Sequence, residues 1–155
     1  MASANYRLAK KEDINSLAAL RYEFTTEVGD SDGSVSEKKF LSSCIKFLAY
    51  GLKNKTWNHF IAEIDGKIIG HASLMKIEMI PRPHRKFKHF GYLTNFYVKA
   101  EYRNKKIGKK LLENLIKFTK TNDYESVIVW PSDESKSLYS RANFANKNGI
   151  CELVL

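Results

Sequence analysis

Gly91-Tyr92-Leu93-Thr94-Asn95-Phe96-Tyr97-Val98-Lys99-Ala100-Glu101-Tyr102-Arg103-Asn104-Lys105-Lys106-Ile107-Gly108-Lys109-Lys110-Leu111-Leu112 is the stretch from which the rest of the chain can be read. Tyr92 to Val98 is dense in aromatic and β-branched residues, which suit the pleated, half-buried surface of a strand. From Ile107 the pattern continues at Leu111, Leu112, Leu115, Ile116 and Thr119, which is helical spacing. The order predicted is strand, short basic turn, helix. A helix start leaves several backbone N–H groups unpaired. Arg103, Lys105, Lys106, Lys109 and Lys110 crowd that start, where each cation costs a few tenths of a kcal/mol against the helix dipole. A bound anion would offset the repulsion, and a helix N-terminus is a ready phosphate site. Gly108, lacking a Cβ, lets a ligand approach the backbone. A solvated basic helix face is the alternative.

The chain has 155 residues, 43% hydrophobic and 28% charged. Those values predict one soluble domain over residues 1–155, burying roughly two-thirds of its extended surface. No apolar run approaches the ~20 residues of a membrane-spanning helix. The N-terminus lacks the apolar core of a signal peptide, so a cytoplasmic location is expected. Cys44 and Cys151 match no metal spacing and are expected to be buried thiols. The net charge of +9 implies an anionic partner: nucleic acid, membrane surface or a phosphorylated cofactor. The charge concentrates at Arg103–Lys110 and in the run from Pro81 to His89.

In chain order, Asn5–Lys10 reads as a strand and Asp13 as the N-cap of a helix carrying Ile14, Leu17, Ala18 and Phe24. A loop follows at Gly29–Ser34. A second helix then starts either with Ser36 as N-cap and Val35/Phe40 as a staple, or with a Ser34/Glu37 capping box. Thr56–Ile64 and Lys67–Met79 flank Asp65-Gly66, the signal of a type I′ hairpin. Phe60, Ala62 and Ile64 alternate, so the first arm is predicted half-buried. Asp123–Trp130 is a further strand, predicted buried on both faces at Val127, Ile128 and Val129. Ser132–Asn143 reads as a short helix with Asn143 as its left-handed C-cap. Asn143–Asn146 and Gly149–Leu155 read as two closing strands. The fold class predicted is mixed α/β (α+β), a mainly antiparallel sheet of about seven strands with helices on both faces.

The run Val98-x4-Arg103-x2-Lys106-x-Gly108-Lys109 resembles the acyl-CoA loop of the GCN5-related N-acetyltransferases. That family's pattern is Gln or Arg, two residues, Gly, one residue, Gly or Ala; Lys106 stands at the first glycine. With a helical φ there, lysine would add charge without a clash. The element order is also similar, and the resemblance implies an acyl-CoA N-acyltransferase-like fold. It implies that the main chain at Phe96 and Val98 faces the acetyl group and pantetheine. Arg103, Asn104, Lys105, Lys106, Ile107, Gly108 and Lys109 would then cradle the pyrophosphate. Leu138-Tyr139-x3-Asn143-Phe144 resembles the family's Leu-Tyr-x3-Gly-Phe, which implies that Tyr139 serves the departing thiolate; a buried aromatic with a satisfied hydroxyl is the alternative. Ser132 stands where relatives often carry an asparagine.

The function expected is therefore transfer of the acetyl group of acetyl-CoA to a primary amine, of a small molecule, by direct attack without a covalent intermediate. Acetyl-CoA is the co-substrate and no metal is expected. Glu78, His84, His89 and a water relay are alternative general bases. The rivals are a protein lysine or N-terminus as acceptor, a CoA-binding regulator without catalysis, and a nucleic-acid-binding module. The last lacks an RNA-binding aromatic-glycine signature. No membrane partner is expected, and the oligomeric state is open, a homodimer included.

Overall fold

Asp65 and Gly66, with φ of +49° and +73°, turn the chain back between two long antiparallel strands, as the type I′ signal requires. The computed structural model describes residues 3–84, 86 and 88–145. Within it, β1 is Asn5–Leu8, β2 Trp57–Ile64, β3 Lys67–Glu78, β4 His89–Val98 and β5 Tyr124–Val129. The helices are α1 Ile14–Glu27, α2 Glu37–Lys53, α3 Ile107–Thr121 and α4 Lys136–Arg141. The strands form one sheet in the order β1-β2-β3-β4-β5. Every pairing is antiparallel except β4 with β5. That parallel pair is joined through α3, the crossover that parallel strands need.

Each face of the sheet carries its own core. Ile107, Leu111, Leu112 and Leu115 of α3 pack on Phe60, Ala62, Leu74, Leu93 and Val98. Ile14, Leu17 and Ala18 of α1 and Leu48 of α2 pack on Ile61 from the other side. Each fully buried leucine contributes roughly 2 kcal/mol. β2 is thus buried on both faces at its centre, not half-buried as its alternation suggested: His59 and Ile61 lie beneath α1 and α2. The reverse holds in β5. Val127 and Val129 touch the α3 core, while all three residues from Val127 to Val129 stay partly exposed.

Ser36 is the N-cap of α2, its hydroxyl accepting from the Lys39 N–H at 3.4 Å. Ser34 instead closes a turn onto Asp32, so the Ser34/Glu37 box does not form. Phe40 packs on Tyr22, ring centroids 5.6 Å apart. Asp13 does not cap α1. Its carboxylate accepts from the Lys10 N–H at 2.7 Å, across a 3-10 turn at Lys11–Asp13, and is held by Arg7. Cys44 is half-buried rather than buried, and burial pushes its thiol pKa up. Cys151 lies outside the described residues.

The sheet holds five strands among the described residues, not about seven. Asn143 forms a turn and Ala145 irregular chain, and Gly149–Leu155 lies outside the described residues. The cause at Asn143 is local. Its φ of +64° reverses the chain, the Asn143 N–H donates to Ser140 O at 3.0 Å and the Phe144 N–H to Tyr139 O at 3.0 Å. That is a Schellman closure of α4, with asparagine in the left-handed position as expected. No helix among the described residues is long and apolar enough to cross a membrane.

Candidate active site

Asn95 is the irregular residue of β4. Ser73 of β3 faces Thr94 and His71 faces Tyr97, so Asn95 and Phe96 share one partner across a bulge, with Asn95 at φ +51°. A bulge re-aims everything after it. The Lys99 N–H donates to Ile69 O at 3.0 Å. By the alternation of antiparallel pairing, Tyr97 then directs its backbone groups at His71, while Phe96 and Val98 direct theirs away from β3. On that other side β5 is gone. Its pairing with β4 ends at Leu93 with Val129. The strands part there, and the main chain of Phe96 and Val98 faces the opening. One of those groups is already engaged: Val98 O accepts from Arg103 Nε at 2.9 Å.

The opening leads to the start of α3. The first intrahelical bond there runs from the Lys110 N–H to Lys106 O, and no side chain caps the helix. The N–H groups from Asn104 to Lys109 therefore have no acceptor among the described residues. Asn104 and Lys106 have φ of +60° and +64°. Lys106 is thus left-handed, not helical. Glycine reaches that conformation freely, whereas lysine holds it at a cost on the order of 1 kcal/mol. This is the physical reason a glycine suits the position. A Cβ built at Gly108 would meet Phe96 at 3.5 Å and Val98 at 3.9 Å, ordinary contacts. It would point between the helix start and β4 without displacing either.

The basic residues divide by role. Arg103 is committed within the fold: besides Val98 O, it pairs with Glu27 at 2.5 Å and lies over the Tyr97 ring, 5.5 Å from its centroid. Lys105 donates to Glu101 O at 2.8 Å, and Lys109 sits 3.7 Å from Glu113. Lys106 is exposed. Glu23 and Glu27 of α1 complete this network: Tyr97 Oη lies 3.0 Å and 2.8 Å from their carboxylates, which share its one proton, and Lys99 pairs with Glu23 at 3.0 Å. Hydrogen bonding to Arg103 and then to Tyr97 holds the Glu27 carboxyl below its usual range. Desolvation, then the two carboxylates, drive the Tyr97 phenol well above its own.

Tyr139 is 5% exposed, its ring edge-on to Phe96 at 6.1 Å and to Phe144 at 5.4 Å. The structure thus brings Tyr139 to the same opening as Phe96, Val98 and Gly108. Its hydroxyl makes no hydrogen bond among the described residues, and burial pushes its pKa up to about 12.

Glu78, His84 and His89 do not join this group. Glu78 pairs with Lys76 and faces His89 at the opposite end of β4, and His84 is exposed on the loop beyond. His89 is held by Asn122 O at 2.7 Å and by the Tyr124 ring. Asn95 is six residues further along the strand, roughly 20 Å away. Nearer the bulge is a polar group that the sequence reading missed. Ser73 Oγ lies 2.8 Å from His59 Nδ1 and accepts from Asn95 Nδ2 at 3.3 Å, while Arg21 donates to Asn95 Oδ1 at 3.3 Å. His59 and His71 are 2% and 1% exposed, and the Nε2 of each lacks a partner among the described residues. Desolvation lowers their pKa values to about 4 and about 3. The signal was available as two histidines inside apolar strand patterns, but only pairing shows that they share a face.

The chain is similar to several solved structures. A predicted acetyltransferase from Clostridium acetobutylicum, solved with acetyl-CoA, is 23% identical with a TM-score of 0.82, over 98% of this chain and 96% of that one. A GCN5-related N-acetyltransferase from Ralstonia eutropha is 18% identical with a TM-score of 0.78, over 98% and 99%. Glucosamine-6-phosphate N-acetyltransferase from Arabidopsis thaliana is 22% identical with a TM-score of 0.69, over 98% of each chain. Likeness at such identities speaks for the fold alone. No curated protein sequence matches this one. The family's own sequence profile, acetyltransferase (GNAT) family, matches residues 21–144, from α1 through the Schellman turn that places Tyr139. The chain belongs to the GNAT family of acetyltransferases.

Proposed function

We propose that this protein transfers the acetyl group of acetyl-CoA to a primary amine of a small molecule, by direct attack on the thioester. The observation that carries the reading is the parting of β4 from β5 after Leu93, beside the uncapped start of α3. A pyrophosphate fits there chemically. The N–H groups of Asn104 to Lys109 are donors without acceptors among the described residues, and the helix dipole adds positive potential. Lys106 adds charge at the same point. Arg103 works behind the loop, tying it to Val98 and Glu27.

Acetyl-CoA supplies an activated carbonyl carbon. The Phe96 and Val98 N–H groups are placed to polarise its oxygen and to orient the pantetheine arm. The amine nitrogen bonds to that carbon as the C–S bond breaks, and the sulfur leaves with the electron pair. Tyr139 donates a hydrogen bond to the developing thiolate. A phenol near pKa 12 holds its proton against a thiolate whose conjugate acid lies near 8.5, so the hydroxyl stabilises charge and keeps its proton. The proton shed by the nitrogen passes to water and, through solvent, to the sulfur. No covalent enzyme intermediate is needed, so Cys44 has no role as nucleophile.

Thiol release from acetyl-CoA, followed across small amines, lysine peptides and N-terminal peptides, tests the reading. Turnover of small amines with acetyl-CoA bound at micromolar Kd is the expected result. Preference for the peptides moves the acceptor to protein. Binding of acetyl-CoA without transfer to any amine leaves a CoA-binding regulator. Binding of nucleic acid at physiological salt in place of acetyl-CoA refutes the reading altogether.

A further inference from the structure

The α1/α2 side of the sheet has an apolar row outside both core clusters, covered by α2 only at Trp57, where Phe47 and Gly51 pack on it. Trp57 of β2 faces Met75 of β3, and Met75 faces Tyr92 of β4. Trp130, just beyond β5, meets the Tyr92 ring edge-on at 4.7 Å. The four therefore run side by side across four strands on one face. None belongs to either core cluster among the described residues. Trp57, Met75 and Tyr92 are partly buried, and Trp130 is 55% exposed. Beside the row, toward the bulge, lies the polar group of His59, Ser73 and Asn95. Tyr92 and Trp130 stand where β4 and β5 part, so the row runs into the candidate active site.

We infer that this row is the acceptor's binding floor and that the acceptor is an arylalkylamine, its ring on Tyr92 and Trp130 and its nitrogen toward the Asn95 bulge. The inference rests on the transferase reading above and names the substrate class of that site. Tyr92 lies about 10 Å along the strand from Asn95, so an amine whose ring rests on Tyr92 and Trp130 directs its alkyl arm toward the bulge. An edge-to-face pair with one exposed ring, Trp130, favours a third ring over a compact polar body. A polar amine head needs a polar neighbour at the other end, and Asn95, partly buried at the bulge, is the polar side chain that lies there.

The test compares phenethylamine with ethanolamine in the thiol-release assay, with acetyl-CoA affinity measured separately by calorimetry. We expect kcat/KM at least tenfold higher for phenethylamine. Trp130→Ala should remove that advantage through KM while leaving acetyl-CoA affinity and circular dichroism unchanged, and Trp130→Phe should restore most of it. Where turnover is too slow to read, phenethylamine binding to the acetyl-CoA complex replaces it, with the same criterion. Equal use of both amines, indifference to Trp130→Ala, or preference for a lysine peptide would overturn the inference while leaving the transferase reading intact. A dimer in sedimentation that Trp130→Ala dissolves would assign the row to a second copy instead and overturn it too. Failure to bind acetyl-CoA at all would refute the transferase reading, and this one with it.

Discussion

Tyr139→Phe removes one oxygen and leaves the ring against Phe96 and Phe144. The ring is buried, while the hydroxyl has no partner among the described residues and is not one of the fully buried unpartnered atoms, so its loss costs the fold little. Stability at pH 7 should be unchanged or higher by about 1 kcal/mol. The alkaline limb should differ. The folded pKa is about 12 against 10 for the unfolded phenol. The folded state thus resists ionisation, and the stability this group contributes is fully present below pH 10. It is lost as pH rises from 10 to 12, at about 1.4 kcal/mol per pH unit, or 2–3 kcal/mol in all. Other buried tyrosines titrate there too, so the quantity to measure is the wild-type minus Phe difference in urea midpoints at pH 9, 10 and 11. Turnover should fall roughly 10²-fold, the scale of one hydrogen bond to developing charge, about 2.7 kcal/mol. Acetyl-CoA affinity should hold, because the interaction grows only as the sulfur gains charge. Equal turnover in both proteins would return Tyr139 to a packing role, and a pH-independent stability difference would refute its burial.

Gly108→Asp should weaken acetyl-CoA binding more than tenfold by calorimetry, since it puts bulk and negative charge between α3 and Phe96, while melting temperature barely moves because the Cβ meets only ordinary contacts. His59 and His71 stay neutral when folded but protonate near pH 6.5 when unfolded. Their contribution is complete above pH 6.5 and is lost as pH falls toward 4, about 2 kcal/mol each by pH 5 in urea titrations, and the double change to Gln should flatten that limb. Gly91→Ala should destabilise by roughly 1–3 kcal/mol in chemical unfolding, because the added methyl would lie 2.6 Å from Leu74 Cδ1, inside a fully buried side chain's space.

What the sequence determined by itself is local. Asp65-Gly66 specifies its hairpin because few residue pairs accept two positive φ angles in succession. The apolar period from Ile107 to Thr119 specifies α3 and the face it buries. Asn143 ends α4 because asparagine tolerates the left-handed turn, and that turn sets Tyr139 against Phe144. The basic turn before α3 was legible as a run of cations and backbone donors for the same reason: they belong to consecutive residues.

The tertiary structure decided whatever depends on a partner distant in sequence. Asn95 looks like any strand residue until pairing with β3 leaves it unmatched, and that bulge is what turns the main chain of Phe96 and Val98 outward. Arg103 reads from the sequence as a cation of the turn, and only the fold adds Glu27, 76 residues away, at 2.5 Å. Lys106 passes for helical until the loop's path forces its φ to +64°. His59 of β2 joins His71 and Ser73 of β3 as one buried group only when the register aligns the two strands. Trp57, Met75, Tyr92 and Trp130 likewise become a surface only through the same alignment. A strand's period of two says which side chains share a face, but the register, set by long-range contacts, says which strands share it.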